Sequence, residues 1–510
     1  MSDHLFTLIA VASLVLVFWA LPSVQRYANY RRIARKHGCL PPPSLPRRDP
    51  ILGTDLAFRM FQSYRRGQRS MDFKVQHEEF GPTFQSTALG KVRIFTIDPS
   101  NLRTIFSTNF NEWGVEPLRL PSWGPLLGKG VMDTDGAFWK HSRDLVQPLF
   151  QRKQAEDFYA FDVHVSRLLD LLPRERLTVD LQPLFARLIL DFTTEFLFGE
   201  CCKSLTAHPS EEAIHFLDAF HHGQAAIGKR TQLPYLSVLT VDRKFWASAR
   251  TVRNFVDTYV ERAALLSTSS PAEPPLPLKK KYVLADELVR THDDRTDIRN
   301  QLLNTFLAAH DTTAVLITNV FFNLARHPLV YYKLRTELLS LENPGLLYNA
   351  DTLKSHLPYL HAVVKETSRL TPVVGQSARI ALSPTVLPSG GGVASTSPIF
   401  VPPGTSVQFN FFALHRRREV FGVDADVFLP ERWERESVKE RVGPWDFLPF
   451  IGGPRVCPAQ GMAVLQVKFA VARIVREYEK VECRDPNLDF VERYRITSDS
   501  KNGCLVGLVR

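Results

Sequence analysis

The longest apolar run in the chain is Leu5 to Leu21, which carries no charge and sits at the short limit for a helix that spans a bilayer. Arg26, Arg31, Arg32, Arg35 and Lys36 follow it, whereas only Asp3 and the terminal amine precede it. That asymmetry puts the remainder on the cytoplasmic side. A cleaved signal peptide would want a basic leader and a small-x-small cleavage site, and neither is clear here. Further on, apolar positions recur at helical spacing in 155–172, 181–199, 244–266, 297–326, 329–341, 360–370 and 460–478, with few internal breakers. Phe84 to Ile97 has the β-branched and aromatic content of short strands around a Gly90-Lys91 turn, and a second β-like stretch lies near Ile399 to Phe409. The prolines of Leu40 to Pro46 predict a stiff extended connector. Pro271 to Pro277, closed by Lys279-Lys280-Lys281, reads as an exposed loop. No internal repeat is present. The pattern predicts a mainly α fold with a small β subdomain, preceded by one N-terminal transmembrane helix. It divides the chain into an anchor (1–24), a basic and Pro-rich connector (25–50) and a globular body (51–510).

Composition narrows this. A chain of 510 residues with 44% hydrophobic residues can bury a large core. Its net charge of +10 suits an acidic partner or a membrane surface. Nucleic acid is not expected, because the basic clusters are short (Arg31-Arg32, Lys279-Lys280-Lys281, Arg416-Arg417-Arg418) and no zinc-finger, helix-turn-helix or RNA-recognition pattern accompanies them. Cys39, Cys201, Cys202, Cys457, Cys483 and Cys504 are too scattered for a disulfide framework and form no CxxC pair. The body therefore belongs in a reducing compartment.

One cysteine has a chemical context. Phe450-Ile451-Gly452-Gly453-Pro454-Arg455-Val456-Cys457-Pro458-Ala459 leads directly into a helical run from Gln460. A cysteine at a helix N-terminus with an arginine nearby is expected to favour the thiolate, and the glycines let backbone N–H groups approach the sulfur. Cys201, Cys202 and Cys483 lack such surroundings and read as inert core residues. Upstream, Ala308-Ala309-His310-Asp311-Thr312-Thr313 lies mid-way along an apolar helix. An acid and a threonine buried there are costly unless used. The alternative is a capped surface turn.

These residues carry a resemblance to the cytochrome P-450 superfamily of heme-thiolate monooxygenases. The heme loop of that family runs Phe-x-x-Gly-x-Arg-x-Cys-x-Gly or Ala, and Phe450, Gly453, Arg455, Cys457 and Ala459 match it, while Ile451 replaces the usual small or polar residue. The resemblance implies heme b with Cys457 as the axial thiolate, favouring O–O cleavage, and Arg455 as a propionate ligand. It assigns Thr312 to orienting dioxygen and water and Asp311 to relaying protons, with Ala309 in place of the usual glycine narrowing the local helix opening. Trp139 and Arg143 match the family's Trp-x-x-x-Arg, whose members bind a propionate, and Arg379 falls where relatives place another such contact. Glu366, Arg369 and Arg432 correspond to a buried structural network behind the heme. Electrons from NADPH would arrive through a membrane-bound NADPH–cytochrome P-450 reductase with an acidic docking surface, which implies a single-pass protein of the endoplasmic reticulum.

Gly38 to Pro43, Asp49 to Gly53, Asp133 to Gly136 and Ala413 to Arg417 are similar to the fungal alkane and fatty-acid ω-hydroxylases. Pocket positions implied by the family include Trp113 to Trp123, Phe216 to Phe220, Leu303 to Thr312 and Pro372 to Gln376, and predict a hydrophobic small-molecule substrate. Any one of these aromatics can equally be core. Ala308 stands where the animal fatty-acid hydroxylases carry a glutamate, so a covalent heme link cannot form. Thr371-Pro372-Val373-Val374-Gly375-Gln376-Ser377 departs from that branch; Gly375 and Gln376 are expected to widen the pocket and add a hydrogen-bonding amide. The expected reaction is hydroxylation of an aliphatic C–H in a fungal polyketide, terpenoid or lipid chain, with plain fatty acids or alkanes as the alternative. A reductase-independent isomerase, or a heme sensor or electron carrier, would have no use for Asp311-Thr312.

Overall fold

A computed structural model describes residues 24–151, 158–173, 176–206, 208–232, 242–269 and 283–510. The chain divides into two units. The smaller unit takes the N-terminal residues up to Phe58 together with Val75–Trp113 and Ala378–Phe409, and the larger takes Arg59–Lys74, Gly114–Ser377 and Asn410–Arg510.

A twisted sheet organises the smaller unit. Thr83–Ala88 and Lys91–Thr96 pair antiparallel, from Thr83 opposite Thr96 to Ala88 opposite Lys91. The reversal falls on Leu89-Gly90, one residue earlier than expected, and both lie in the left-handed region (φ 51° and 70°), as a two-residue hairpin turn demands. Lys91–Thr96 then pairs parallel with Ser406–Asn410. Leu40 to Pro46 is extended, yet it does not hang free. The Leu45 N–H donates to Gln85 O (2.9 Å) and the Leu40 N–H to Pro398 O (2.9 Å), so the proline segment lies along β structure, after a helix at 24–36.

The larger unit is built around the 32-residue helix Arg295–Arg326, about 48 Å long at 1.5 Å per residue. Asp294 caps it by accepting the N–H groups of Thr296 and Asp297, and Pro328 opens the next helix immediately beyond it. Leu302, Phe306, Leu316, Ile317, Val320 and Phe321 are all buried around its circumference, as expected of a helix inside a large core. Leu181–Phe198, Arg243–Ser269, Pro358–Leu370 and Gln460–Glu477 follow the predicted ranges closely. Pro328–Leu339 ends two residues before its pattern, and Phe158–Leu171 covers all but the last residue of the described part of the pattern over 155–172, whose first three residues lie outside the described ones. The helices Glu116–Leu127 and Glu211–Gln232 carry no helical period in the sequence, and Gly136–Gln151 is marked there only by the spacing of Trp139 and Arg143. Internal proline or glycine (Pro121, Pro125, Pro148, Gly223, Gly228) hides their periodicity.

The predicted anchor Leu5 to Leu21 and the loop Pro271 to Lys281 lie outside the described residues. Among the described residues, no helix is long and apolar enough to cross a membrane.

Candidate active site

Backbone constraint shapes the cysteine loop. A side chain at Gly452 would place its Cβ 2.7 Å from the Trp445 ring, so only glycine fits. Gly453 has φ +69°, and Ile451 has φ +61°, a conformation costly for a β-branched residue. The departure from the family pattern at position 451 therefore falls on a strained residue. A short 3-10 turn, Gly453–Arg455, then brings the Cys457 N–H to Phe450 O (3.1 Å), and helix Gln460–Glu477 starts three residues later.

Among the described residues, no side chain hydrogen-bonds the Cys457 sulfur. Burial pushes its thiol up, while the Ala459 backbone N–H and the Arg143 guanidinium pull it down. The helix-start N–H and an arginine do favour the thiolate, the arginine being Arg143, and burial opposes them. A half-buried sulfur that nothing in the protein fully ionises suits ligation by a Lewis acid, which holds it deprotonated.

Arg455 is turned toward the segment before helix Gly136–Gln151. Its Nη2 donates to Thr134 O and to Asp135 Oδ1 (2.7 Å each), and its guanidinium stacks over Trp139 at 4.5 Å. Burial lowers its pKa to about 10 in spite of Asp135. Asp135 also accepts the N–H groups of Val115 and Glu116 (2.8 Å each), so it ties Arg455 to the start of helix Glu116–Leu127. Sequence reasoning gave Asp135 no role, although Asp133 to Gly136 stood out as a motif. Trp139 and Arg143 share one face of helix Gly136–Gln151, and Arg143 Nε donates to Gln147 (3.3 Å). Arg379 belongs to the smaller unit, where its guanidinium sits over the Phe106 ring at 5.0 Å.

Asp311 and Thr312 lie on an unbroken stretch of the long helix, and Asp311 is buried. This excludes the capped surface turn. The Thr312 hydroxyl donates back to Ala308 O (2.7 Å). Asp311 Oδ2 accepts from the Thr497 hydroxyl, and Oδ1 lies 3.8 Å from Arg495 Nη2. Both partners come from the C-terminal hairpin Glu492–Tyr494 and Ser498–Ser500, a connection the sequence did not reveal.

Glu366 receives Arg369 through two parallel bonds of 2.8 Å, the Leu429 N–H (3.0 Å) and Arg432 Nε (3.3 Å). Arg432 also pairs with Asp424. All three side chains of the expected network are fully buried. Phe216 and Phe220 are buried against Phe306, with Phe216 stacked on Phe255 at 4.0 Å; both are core.

The reading of Gly375 and Gln376 is overturned. Gln376 Oε1 accepts from Arg69 Nε (2.8 Å) and its Nε2 donates to the Ser70 hydroxyl (3.2 Å), so the amide is engaged by protein. A Cβ at Gly375 would meet Ser70 Oγ at 3.1 Å and Ser498 Oγ at 3.4 Å. The space beside it is filled, not widened.

With this geometry in place, comparison decides the family. The sequence model of the cytochrome P450 family matches residues 43–501. This chain is a cytochrome P450. It is 34% identical to cytochrome P450 monooxygenase himC of Aspergillus japonicus, over 92% of this chain and 84% of that protein. It is 32% identical to cytochrome P450 monooxygenase fsdH of Fusarium heterosporum, over 100% and 90%, and to cytochrome P450 52A12 of Debaryomyces hansenii, over 90% of each. P450s are heme-thiolate monooxygenases that receive NADPH-derived electrons through a reductase and act on hydrophobic substrates. When bound, the heme supplies the oxidising chemistry. In this P450, Cys457 would hold the heme iron through its sulfur, and Trp139, Arg143 and Arg455 would be the polar groups near the propionates. Asp311 holds a buried carboxylate beside Thr312, bonded to the Thr497 hydroxyl.

Proposed function

We propose that this P450 hydroxylates an aliphatic C–H of a hydrophobic small molecule, and that its substrate is a polyketide, terpenoid or lipid chain tailored in fungal specialised metabolism. The observation that carries the monooxygenase reading is the half-buried Cys457 sulfur, faced by the Ala459 N–H and by Arg143. The buried Asp311 beside Thr312 supports oxygen activation over isomerase or carrier roles. A fungal lipophilic substrate is supported by the family and by relatives from Aspergillus and Fusarium.

A second reading is ω-hydroxylation of fatty acids or n-alkanes. The engaged Gln376 amide favours it, because the group that argued for a functionalised substrate is already bonded to Arg69 and Ser70. The uncharged run Leu5 to Leu21 and the basic residues after it support a single-pass anchor in the endoplasmic reticulum with the catalytic body in the cytoplasm. The net charge of +10 supports docking to an acidic reductase.

Titration of the heme-loaded protein with fatty acids and, separately, with a fungal lipid extract tests the substrate class. A low-to-high-spin shift with extract alone supports the specialised metabolite. A shift with fatty acids, followed by terminal hydroxylation when reductase and NADPH are added, supports the second reading.

A further inference from the structure

A second group of ligand-type side chains sits at the C-terminal end of helix Leu181–Phe198, and the P450 reaction makes no use of it. His164, on helix Phe158–Leu171, is fully buried. Its Nε2 lies 2.8 Å from Glu195 Oε2, and its Nδ1 has no partner. Asp191, one turn before Glu195, is also fully buried. Its Oδ1 accepts the Ser204 N–H (2.6 Å) and the Cys202 thiol (3.2 Å), and its Oδ2 accepts the Leu205 N–H (3.0 Å). Half-buried Cys201 receives the Lys203 N–H at 3.2 Å, and Arg167 Nη1 stands 3.8 Å from its sulfur. Lys203 has φ +55°, so a strained residue follows the two cysteines and turns the loop back onto the helix. One ligand-type atom from each of His164, Asp191 and Cys201 lies within 4.8 Å of the other two.

An unpartnered imidazole nitrogen in a dry interior is unfavourable, and a residue kept there despite that cost calls for an explanation. The other nitrogen explains what the histidine is prepared for. An imidazole that gives one N–H to a carboxylate is held in one tautomer, with the opposite nitrogen bare and more basic, as in histidines that bind metal ions. We propose that His164 Nδ1, an Asp191 carboxylate oxygen and the Cys201 sulfur bind one zinc ion, with water in the fourth position. Mixed nitrogen, oxygen and sulfur ligands suit zinc, whereas magnesium and calcium want oxygen throughout. On binding, the Cys201 thiol proton leaves to solvent, and the thiolate and the Asp191 carboxylate together neutralise the dication. Tetrahedral bonds of about 2.0 Å to nitrogen and oxygen and about 2.3 Å to sulfur require the three atoms to draw closer, which rotation of half-buried Cys201 allows. Arg167 is exposed and swings into solvent. The ion then pins the loop after helix Leu181–Phe198 to helix Phe158–Leu171.

The test uses the full-length, heme-loaded protein, dialysed against a chelator, given Zn2+ alone and freed of excess. Zinc and iron are measured together, and X-ray absorption is recorded at the zinc edge. One zinc per chain is expected in addition to heme iron, with one sulfur in its first shell. Cys201→Ser and His164→Gln should each bind zinc at least about tenfold more weakly, Glu195→Gln about 10- to 100-fold more weakly, and Cys202→Ser as the parent does. Unchanged heme content in these variants separates ligand loss from unfolding, and Cys201→Ser, at a half-buried position, is the variant least exposed to that ambiguity. Absence of zinc above background, a first shell without sulfur, or equal zinc in parent and Cys201→Ser would overturn the proposal.

Discussion

The Glu366 network is fully buried and the Cys457 sulfur half-buried; both carry charge, but they are finished to different degrees. Around Glu366, Arg369 and Arg432 every formal charge has an opposite charge within hydrogen-bond reach, and Asp424 completes the balance. Around Cys457 the sulfur meets one backbone N–H and one guanidinium against a larger burial penalty. A completed cluster fixes structure, because removing any member strands a buried charge. An incomplete one is where a ligand completes the balance. The difference sorts scaffold from site without reference to any relative.

The largest effect should come from breaking the finished cluster. Arg369→Leu leaves Glu366 without its bidentate partner in a dry interior, and about 3–5 kcal/mol of stability should be lost. Chemical denaturation of the variant checks this, with poor heme retention as its companion. Next, Thr312→Ala removes the hydroxyl beside Asp311 while sparing the fold; hydrogen peroxide released per NADPH consumed should rise severalfold. Retained coupling would take Thr312 out of the oxygen-activation role.

A smaller, pH-dependent effect belongs to Asp133, an acid that is not completed either. It is buried, its Oδ2 has no partner, and burial raises its pKa to about 7, with Gly130 N–H and Arg119 opposing. A carboxyl whose folded pKa lies above its unfolded value adds its stability at low pH and loses it as pH rises from about 4 to about 7. Asp133→Asn should therefore leave the melting temperature nearly unchanged at pH 4 and raise it at pH 8. Smallest is Ile451→Gly, which relieves a left-handed β-branched residue and should add on the order of 1 kcal/mol, read as a higher melting temperature. A fall instead would show that Ile451 packing outweighs its strain.

What the sequence disclosed followed from local signals. The long helix, the four well-matched helices and the Cys457 loop are written in contiguous stretches, by apolar period or by glycines and arginine at fixed spacing. What it hid was non-local. Asp135 holding Arg455, Thr497 and Arg495 meeting Asp311, and Arg69 taking the Gln376 amide join residues from 184 to 320 positions apart along the chain. No periodicity reports such pairs. Gln376 is the instructive failure: its side chain was read for what it offers, and only packing reveals that the offer is already accepted.

The carbon-monoxide difference spectrum of the reduced protein, compared with that of Cys457→Ser, tests the central claim most directly. The parent should show the thiolate-type Soret band and the variant should lose it while keeping a native circular dichroism spectrum. An identical thiolate-type band in the variant would mean that a different sulfur holds the iron.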